Sequence, residues 1–125
     1  ALSDTFEIQE DLPLDCRVEA DQAGPILQIV SEVVTNAAKH ARSPDGRTIV
    51  LVRCGHDVAG RVQIEIADQG PGLPEGFDAA TDGGLGFRLL RACAKQLQAC
   101  ADFRSSKAGV HFRLTLPPPA TQGTG

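Results

Sequence analysis

The stretch that decides the fold is SEVVTNAAKHA, residues 31–41. Its apolar residues recur at steps of three and four, the spacing that keeps side chains on one face of an α-helix. Traced back to Ile26, this spacing predicts a long helix with Asp21 placed to cap its start and Pro25 in its first turn. Four polar residues also share one edge of this helix: Glu32, Asn36, Lys39 and His40. Taken alone, such an edge is more typical of a solvated helix face.

Short segments of alternating apolar residues on either side of this helix predict β-strands. They lie around residues 6–8, at 48–54 and 61–67 as an antiparallel hairpin, and at 101–106 and 110–116. A second helix is predicted to begin near Leu85. We expect its buried side to consist of Leu85, Leu89, Ala92, Cys93, Gln96, Leu97 and Cys100. The fold class that follows is α+β, a two-layer α/β sandwich whose mixed, mostly antiparallel sheet carries helices on one face.

The composition is that of one ordinary globular domain. The chain has 125 residues, of which 42% are hydrophobic and 22% charged, so it can build a core without metal or disulfide support. We predict a domain over residues 1–117 and a flexible tail over 118–125. A net charge of −4 and the lack of long basic runs exclude a nucleic-acid-binding surface. Without an apolar run long enough to span a bilayer, we expect a cytoplasmic protein with no direct membrane contact.

The cysteine and methionine content bears on processing and on the cellular compartment. The four cysteines lie at 16, 54, 93 and 100 and form no C-x-x-C pair. We predict buried thiols in a reducing compartment rather than a zinc site, with Cys93 and Cys100 two turns apart on one helix face. The sequence contains no methionine. We therefore expect a processed product or a piece of a longer protein.

A glycine- and proline-rich loop covers residues 68–83, and loops of this length usually bind a ligand or cover a site. It opens with DQGPG at 68–72, where Asp68 can accept a hydrogen bond from an exocyclic amine such as that of adenine. The segment DGGLGF at 82–87 then leads into a helix N-terminus, which favours phosphate. We expect the loop to be a mobile lid, because it has many glycines and no apolar anchors.

These three segments, in this order, resemble the nucleotide pocket of the Bergerat-fold ATPases. That superfamily contains DNA gyrase, the large heat-shock chaperone ATPases, histidine kinases and mismatch-repair ATPases. Residues 32–41 are similar to the asparagine box of this superfamily, residues 68–72 to its first glycine box and residues 82–86 to its second. The Asn-x-x-Lys-His-Ala form resembles the histidine-kinase branch, close to the H-W-E and light-sensing bacterial kinases.

The resemblance implies roles for the polar residues of the first helix. Asn36 would be the metal ligand, holding an Mg²⁺ ion that bridges the phosphates of ATP. Lys39 and His40 would contact phosphate oxygens. Glu32 would hold a metal-bound water and support Asn36. The catalytic candidates are therefore Glu32, Asn36 and Lys39.

The resemblance also implies roles in the loop. Asp68 would bind the adenine amine. Gly70 and Gly72 would shape the adenine wall. Gly84 and Gly86 would let the lid close on the phosphates, and Leu85 would anchor the lid. One position departs from the family pattern, because Asp82 stands where a glycine is usual.

The function implied by the resemblance is that of the ATP-binding catalytic domain of a two-component sensor histidine kinase. Such a domain passes the γ-phosphate of ATP to a histidine on a separate dimerisation domain of the same protein, and a response regulator is served indirectly. An anti-sigma-factor-type serine kinase is an alternative, because its asparagine box reads similarly. A degenerate nucleotide-binding module without transfer activity is another, which Asp82 keeps open.

Overall fold

A computed structural model describes residues 5–13, 15–40 and 46–118. Within them the elements run β1 (Thr5–Asp11), α1 (Ala20–His40), β2 (Arg47–His56), β3 (Val62–Asp68), α2 (Leu85–Leu97), β4 (Cys100–Ser106) and β5 (Gly109–Thr115). The strands form one sheet in the order β1-β2-β3-β5-β4. The β1–β2 pair is parallel and the other neighbours are antiparallel. The predicted fold class is confirmed; most of the predicted tail, residues 119–125, lies outside the described residues.

Both helices cover the same face of the sheet, and the core lies between the two layers. The sheet contributes alternate residues of three strands to this core: Val50, Ile64, Ile66, Phe112 and Leu114. The helix α1 contributes a stripe of the predicted spacing, formed by Ile26, Ile29, Val33 and Ala37. Because this stripe faces the core, the polar edge beside it is held at the boundary between core and solvent.

The start of α1 differs from the predicted cap. Asp21 lies inside the helix as its second residue, so its assignment as the N-cap is wrong. The helix begins directly after Glu19, whose backbone N–H donates to Oε1 of Gln22 at 2.9 Å. This bond is one half of a capping box, in which the side chain of the third helical residue accepts the backbone N–H of the residue before the helix.

The buried face of α2 was predicted incorrectly except at Leu97, which is buried, and at Cys93, which packs against the core. The buried residues of α2 are Phe87, Leu90, Ala94 and Leu97, whereas Leu85 is 69% exposed and Leu89 is 41% exposed. Cys100 is not on the helix at all, since it is the first residue of β4. The first apolar residue of a helix does not have to face the core. The side that packs is the one that α1 and the sheet can reach, and this depends on contacts distant in sequence.

The cysteines also differ from the prediction of buried thiols. Cys16 and Cys54 form a disulfide across 38 residues of sequence, with their Cα atoms 6.1 Å apart. Cys93 is a half-buried free thiol and Cys100 an exposed one. The pairing arises because the connector before α1 runs beside β2, a proximity that no local pattern reports. Among the described residues, no helix is long and apolar enough to cross a bilayer.

The β2–β3 hairpin sets the position of the loop that follows it. Its turn is closed by Asp57, whose Oδ1 accepts the backbone N–H groups of Arg61 and Ala59 at 2.8 and 2.9 Å. Oδ2 accepts the Arg61 Nε–H at 2.8 Å. These bonds, first of all that from the Arg61 backbone, hold the pKa of Asp57 below its usual value. The register of the hairpin places Asp68 opposite Val50, at the end of the strand that leads into the loop.

Candidate functional site

A cavity of about 590 Å³ lies between α1, the loop after β3 and the start of α2. Its volume is within the usual range for small-molecule sites, roughly 300–1,000 Å³. Of the predicted site residues, it is lined by Asn36, His40, Asp68, Gly72 and Gly84. The residues at the edge of α1, in the glycine-bearing turn and at the start of α2 therefore surround one cavity.

The sequence reasoning missed several apolar residues of the wall. The lining includes Ala37, Leu73, Pro74, Phe77, Phe87 and Val110. Ala37 was assigned to the core stripe and Val110 to a closing strand, and neither position carries a local signal for a ligand. A flat ring ligand needs such apolar contacts on its faces. These residues therefore provide contact area for a ligand, and the polar residues fix its orientation.

Asp68 is held in place by backbone groups on both sides of it. Its Oδ1 accepts the Gly70 N–H at 2.9 Å and the Val110 N–H at 3.1 Å. Among the described residues, no hydrogen bond is made to Oδ2. One oxygen of a fixed carboxylate at the cavity wall thus stays available as an acceptor for a ligand N–H.

Gly72 is required by a close backbone approach. Its φ is +88°, and a Cβ atom there would overlap the carbonyl oxygen of Ser106 and come within 2.7 Å of Ser105 Oγ. The next residue continues this contact, because the Leu73 N–H donates to Ser105 Oγ at 2.7 Å. The start of the loop is therefore fixed against the β4–β5 hairpin.

The remaining predicted site residues lie outside the cavity lining. Glu32 is half-buried, and its carboxylate occupies the position that a Cβ atom on Gly86 would need. The glycine at 86 therefore makes room for Glu32 where helix α1 passes the start of α2. Lys39 and Leu85 are exposed, and Gly70 is buried next to Asp68.

An aromatic row anchors the second part of the loop. The rings of Phe77 and Phe87 are 5.2 Å apart in an edge-to-face arrangement. Phe87 then contacts Phe103, and Phe103 contacts Phe112 in the core, at centroid distances of 5.4 and 4.7 Å. The expectation of a loop without apolar anchors is wrong, whereas its mobility stays a prediction.

Comparison with known proteins gives the family. The model of the histidine kinase-, DNA gyrase B-, and HSP90-like ATPases matches residues 21–120. The chain belongs to this ATPase family. The match contains α1, the loop and α2, the segments that surround the cavity.

Relatives of this ATPase domain include histidine kinases. Blue-light-activated histidine kinase 2 of Erythrobacter litoralis is 31% identical over 100 residues, which is 80% of this chain and 29% of the relative. The adaptive-response sensory kinase SasA of Synechocystis is 34% identical over 132 residues, 93% of this chain and 32% of the relative. The structure of the Erythrobacter litoralis EL346 blue-light activated histidine kinase superposes with a TM-score of 0.80 at 28% identity, covering 90% of this chain and 35% of that one. The chain thus spans about a third of the length of these kinases.

Asp82, the departure from the family pattern, does not line the cavity of the ATPase domain. Its Oδ2 accepts the backbone N–H of Asp78 at 2.8 Å. The Asp82 carboxylate is therefore hydrogen-bonded within the loop and does not face the cavity.

The donor set of the ATPase domain fits a magnesium ion that is shared with a ligand. Among the described residues, no group of three or more His, Cys, Asp or Glu side chains could hold a metal by itself. Mg²⁺ in nucleotide sites is usually bound by one or two protein groups, with phosphate oxygens and water completing the shell. The Asn36 amide at the cavity, with the Glu32 carboxylate one turn earlier on α1, supplies groups of this kind.

Proposed function

We propose that this chain is the ATP-binding catalytic domain of a two-component sensor histidine kinase. It positions Mg-ATP so that the γ-phosphate is transferred to a histidine on a dimerisation domain of the same protein. The observation that carries the proposal is the arrangement around Asp68. Asp68 lines the cavity with a carboxylate that is fixed by two backbone N–H groups through Oδ1, and Asn36, His40 and the start of α2 line the same cavity.

Phosphoryl transfer asks the protein for positioning and for stabilisation of spreading negative charge. In this proposal Asp68 accepts the adenine amine, with Gly70 behind it and Gly72 in the wall. The start of α2 receives the phosphates at Gly84, where backbone N–H groups and the helix dipole favour anions. Asn36 would hold the metal, and His40 would contact phosphate oxygens. When bound, Mg²⁺ would neutralise charge on the phosphates.

Two further assignments are made for residues outside the lining. Lys39 is assigned to the phosphate oxygens, and its exposed side chain lies on the last turn of α1, one residue before His40. Glu32 supports Asn36, and Gly86 keeps the room that its carboxylate needs. Leu85 has no assigned contact at the nucleotide, because its side chain points to solvent.

The phosphate acceptor is assigned to another domain. Of the histidines, His40 lines the nucleotide cavity, and His56 pairs with Val62 at the end of the hairpin. His111 is bonded through Nε2 to Glu65 Oε2 at 2.9 Å, and it alternates with the buried Phe112. We assign none of these as the acceptor, because His40 is given a contact with phosphate oxygens and the other two do not line the cavity. The dimerisation domain of the longer kinase is therefore the proposed acceptor, and a response regulator the next partner.

Neither alternative function has an observation in its favour. The relatives of the chain include a histidine kinase, which favours the histidine-kinase proposal over a serine kinase that binds sigma factors. The degenerate module rested on Asp82, whose carboxylate is bonded to the Asp78 backbone and lies off the cavity wall.

The cytoplasmic location is part of the proposal, since ATP is the substrate. The Cys16–Cys54 disulfide argues in the other direction, because disulfides are rare in reducing compartments. Alkylating the thiols in intact cells before lysis, followed by mass spectrometry, decides between a paired and a reduced state.

Calorimetry of Mg-ATP binding tests the proposed site. In Asp68→Asn the remaining carbonyl oxygen can still accept from Gly70 and Val110, whereas an NH₂ group replaces Oδ2. We expect ATP affinity to fall about tenfold or more, because a donor then faces the adenine amine, while the melting temperature stays nearly unchanged. We expect Asn36→Ala to reduce the magnesium dependence of binding.

Asp102→Asn, at an exposed β4 position paired with Arg104, is the matched control and should bind ATP as the wild type does. Equal ATP affinity in the wild type and Asp68→Asn would overturn the adenine role. A large loss of melting temperature without ligand in Asp68→Asn would make Asp68 a structural residue instead.

A further inference from the structure

The last part of the loop, residues 78–82, is a closed turn that supports itself. The backbone N–H of Asp82 donates to the Asp78 carbonyl at 2.7 Å, and that of Thr81 donates to the same carbonyl at 3.1 Å. In return, the Asp78 N–H donates to Asp82 Oδ2 at 2.8 Å. The Ala80 N–H is satisfied by Asp78 Oδ1 at 2.9 Å. A segment bonded in this way moves as one unit.

Arg91 attaches this turn to α2. Its Nη1 donates to the Asp82 carbonyl at 2.7 Å and to the Ala79 carbonyl at 3.1 Å. Arg91 is half-buried and lies next to Leu90, which is in the core. Nη1 carries two N–H donors, so this one nitrogen can hold both acceptors at once. Among the described residues its acceptors are carbonyls, so removing Arg91 leaves no carboxylate without its partner.

The attached turn lies between residues of the cavity wall. Phe77 precedes it directly, and Gly83 and Gly84 follow it, and all three line the cavity. The carbonyl that accepts the shorter Arg91 bond belongs to Asp82, the residue joined to Gly83. Fixing that carbonyl therefore limits where the backbone N–H groups at the start of α2 can lie.

We propose that Arg91 is a positioning residue for the nucleotide, an inference that rests on the proposed function. It holds the 78–82 turn on α2 before the nucleotide arrives, so that the phosphate end of the cavity is already formed. Arg91 does not line the cavity and touches no ligand itself. Because Arg91 orders this part of the loop in advance, nucleotide binding does not have to supply the free energy of ordering it.

The test compares Arg91→Met with Lys95→Met, which removes a positive charge from an exposed position one turn later on the same helix. In the nucleotide-free protein, Arg91→Met should speed amide hydrogen exchange at Thr81 and Asp82, and Lys95→Met should not. Arg91→Met should also weaken ATP binding about tenfold, as expected when a charge-assisted hydrogen bond that favours the binding-competent state is lost. Adenosine binding should change less than about twofold, because the turn precedes the phosphate end of the cavity.

Arg91→Lys is the conservative variant and should fall between the wild type and Arg91→Met, since its ammonium group can donate to a carbonyl but its side chain ends one bond short of the position of Nη1. Unchanged exchange at Thr81 and Asp82 in Arg91→Met would overturn the proposal, whatever the ATP result. Equal weakening of ATP and adenosine would overturn it as well, by making the effect a general loss of structure. A wild-type chain that does not bind ATP would refute the proposed function and with it the nucleotide role of Arg91. The exchange measurement needs no nucleotide, so it would still show whether Arg91 holds the turn.

Discussion

Gly72 and Gly76 lie in the same loop with similar backbone angles, φ +88° and +79°, but in different surroundings. A Cβ atom at 72 would overlap the backbone of Ser106, whereas at 76 it would meet nothing within 4 Å. We expect Gly76→Ala to lower the free energy of unfolding by about 1 kcal/mol through backbone strain alone. Gly72→Ala should lower it by at least about 2 kcal/mol, because backbone atoms have to move as well.

Urea denaturation of the two variants measures the difference. Equal losses would mean that the contact of the loop with the β4–β5 hairpin does not contribute to stability. The comparison separates the need for a positive φ from the need for space, two reasons for a glycine that the sequence cannot distinguish.

The orientation of α2 is tested by two neighbouring leucines. Leu90 is 2% exposed and Leu89 is 41% exposed. We expect Leu90→Ala to lower the free energy of unfolding by about 2–5 kcal/mol, since it empties a filled core position. Leu89→Ala should cost less than about 1 kcal/mol. Thermal or urea unfolding checks both values, and the reverse order would show that α2 packs with the opposite face.

The Cys16–Cys54 disulfide concerns the stability of the whole domain. It closes a loop of 38 residues of sequence that contains α1. In the chain-entropy account, such a crosslink stabilises the folded state by about 4 kcal/mol, because it restricts the unfolded chain. Cys16→Ser should therefore lower the free energy of unfolding under oxidising conditions. Cys93→Ser, at a free half-buried thiol, is the control and should lower it much less.

A thiol titration of the unfolded wild-type protein completes this test. Two reactive thiols are expected under oxidising conditions, one each from Cys93 and Cys100. Four reactive thiols would contradict the disulfide and return all the cysteines to the reduced state predicted from their spacing.

The sequence by itself determined the elements and the segments of the site. The 3.6-residue period of α1 and the two-residue alternation of Ile64 and Ile66 are local properties, because each depends only on how neighbouring residues project from the backbone. The same holds for the glycines around Asp68 and before α2, whose order along the chain was sufficient for the family resemblance. Recognising these features does not require knowing which residues they pack against.

Only the tertiary structure decided which face of α2 is buried, that Cys54 lies beside Cys16, and that Glu32 fits against Gly86. It also decided the contacts of Arg91 with the loop. Each of these is a contact between elements, formed where α1, α2 and the sheet meet. The physical reason is that packing selects among several faces that local spacing allows, and the selection depends on residues far apart in the chain.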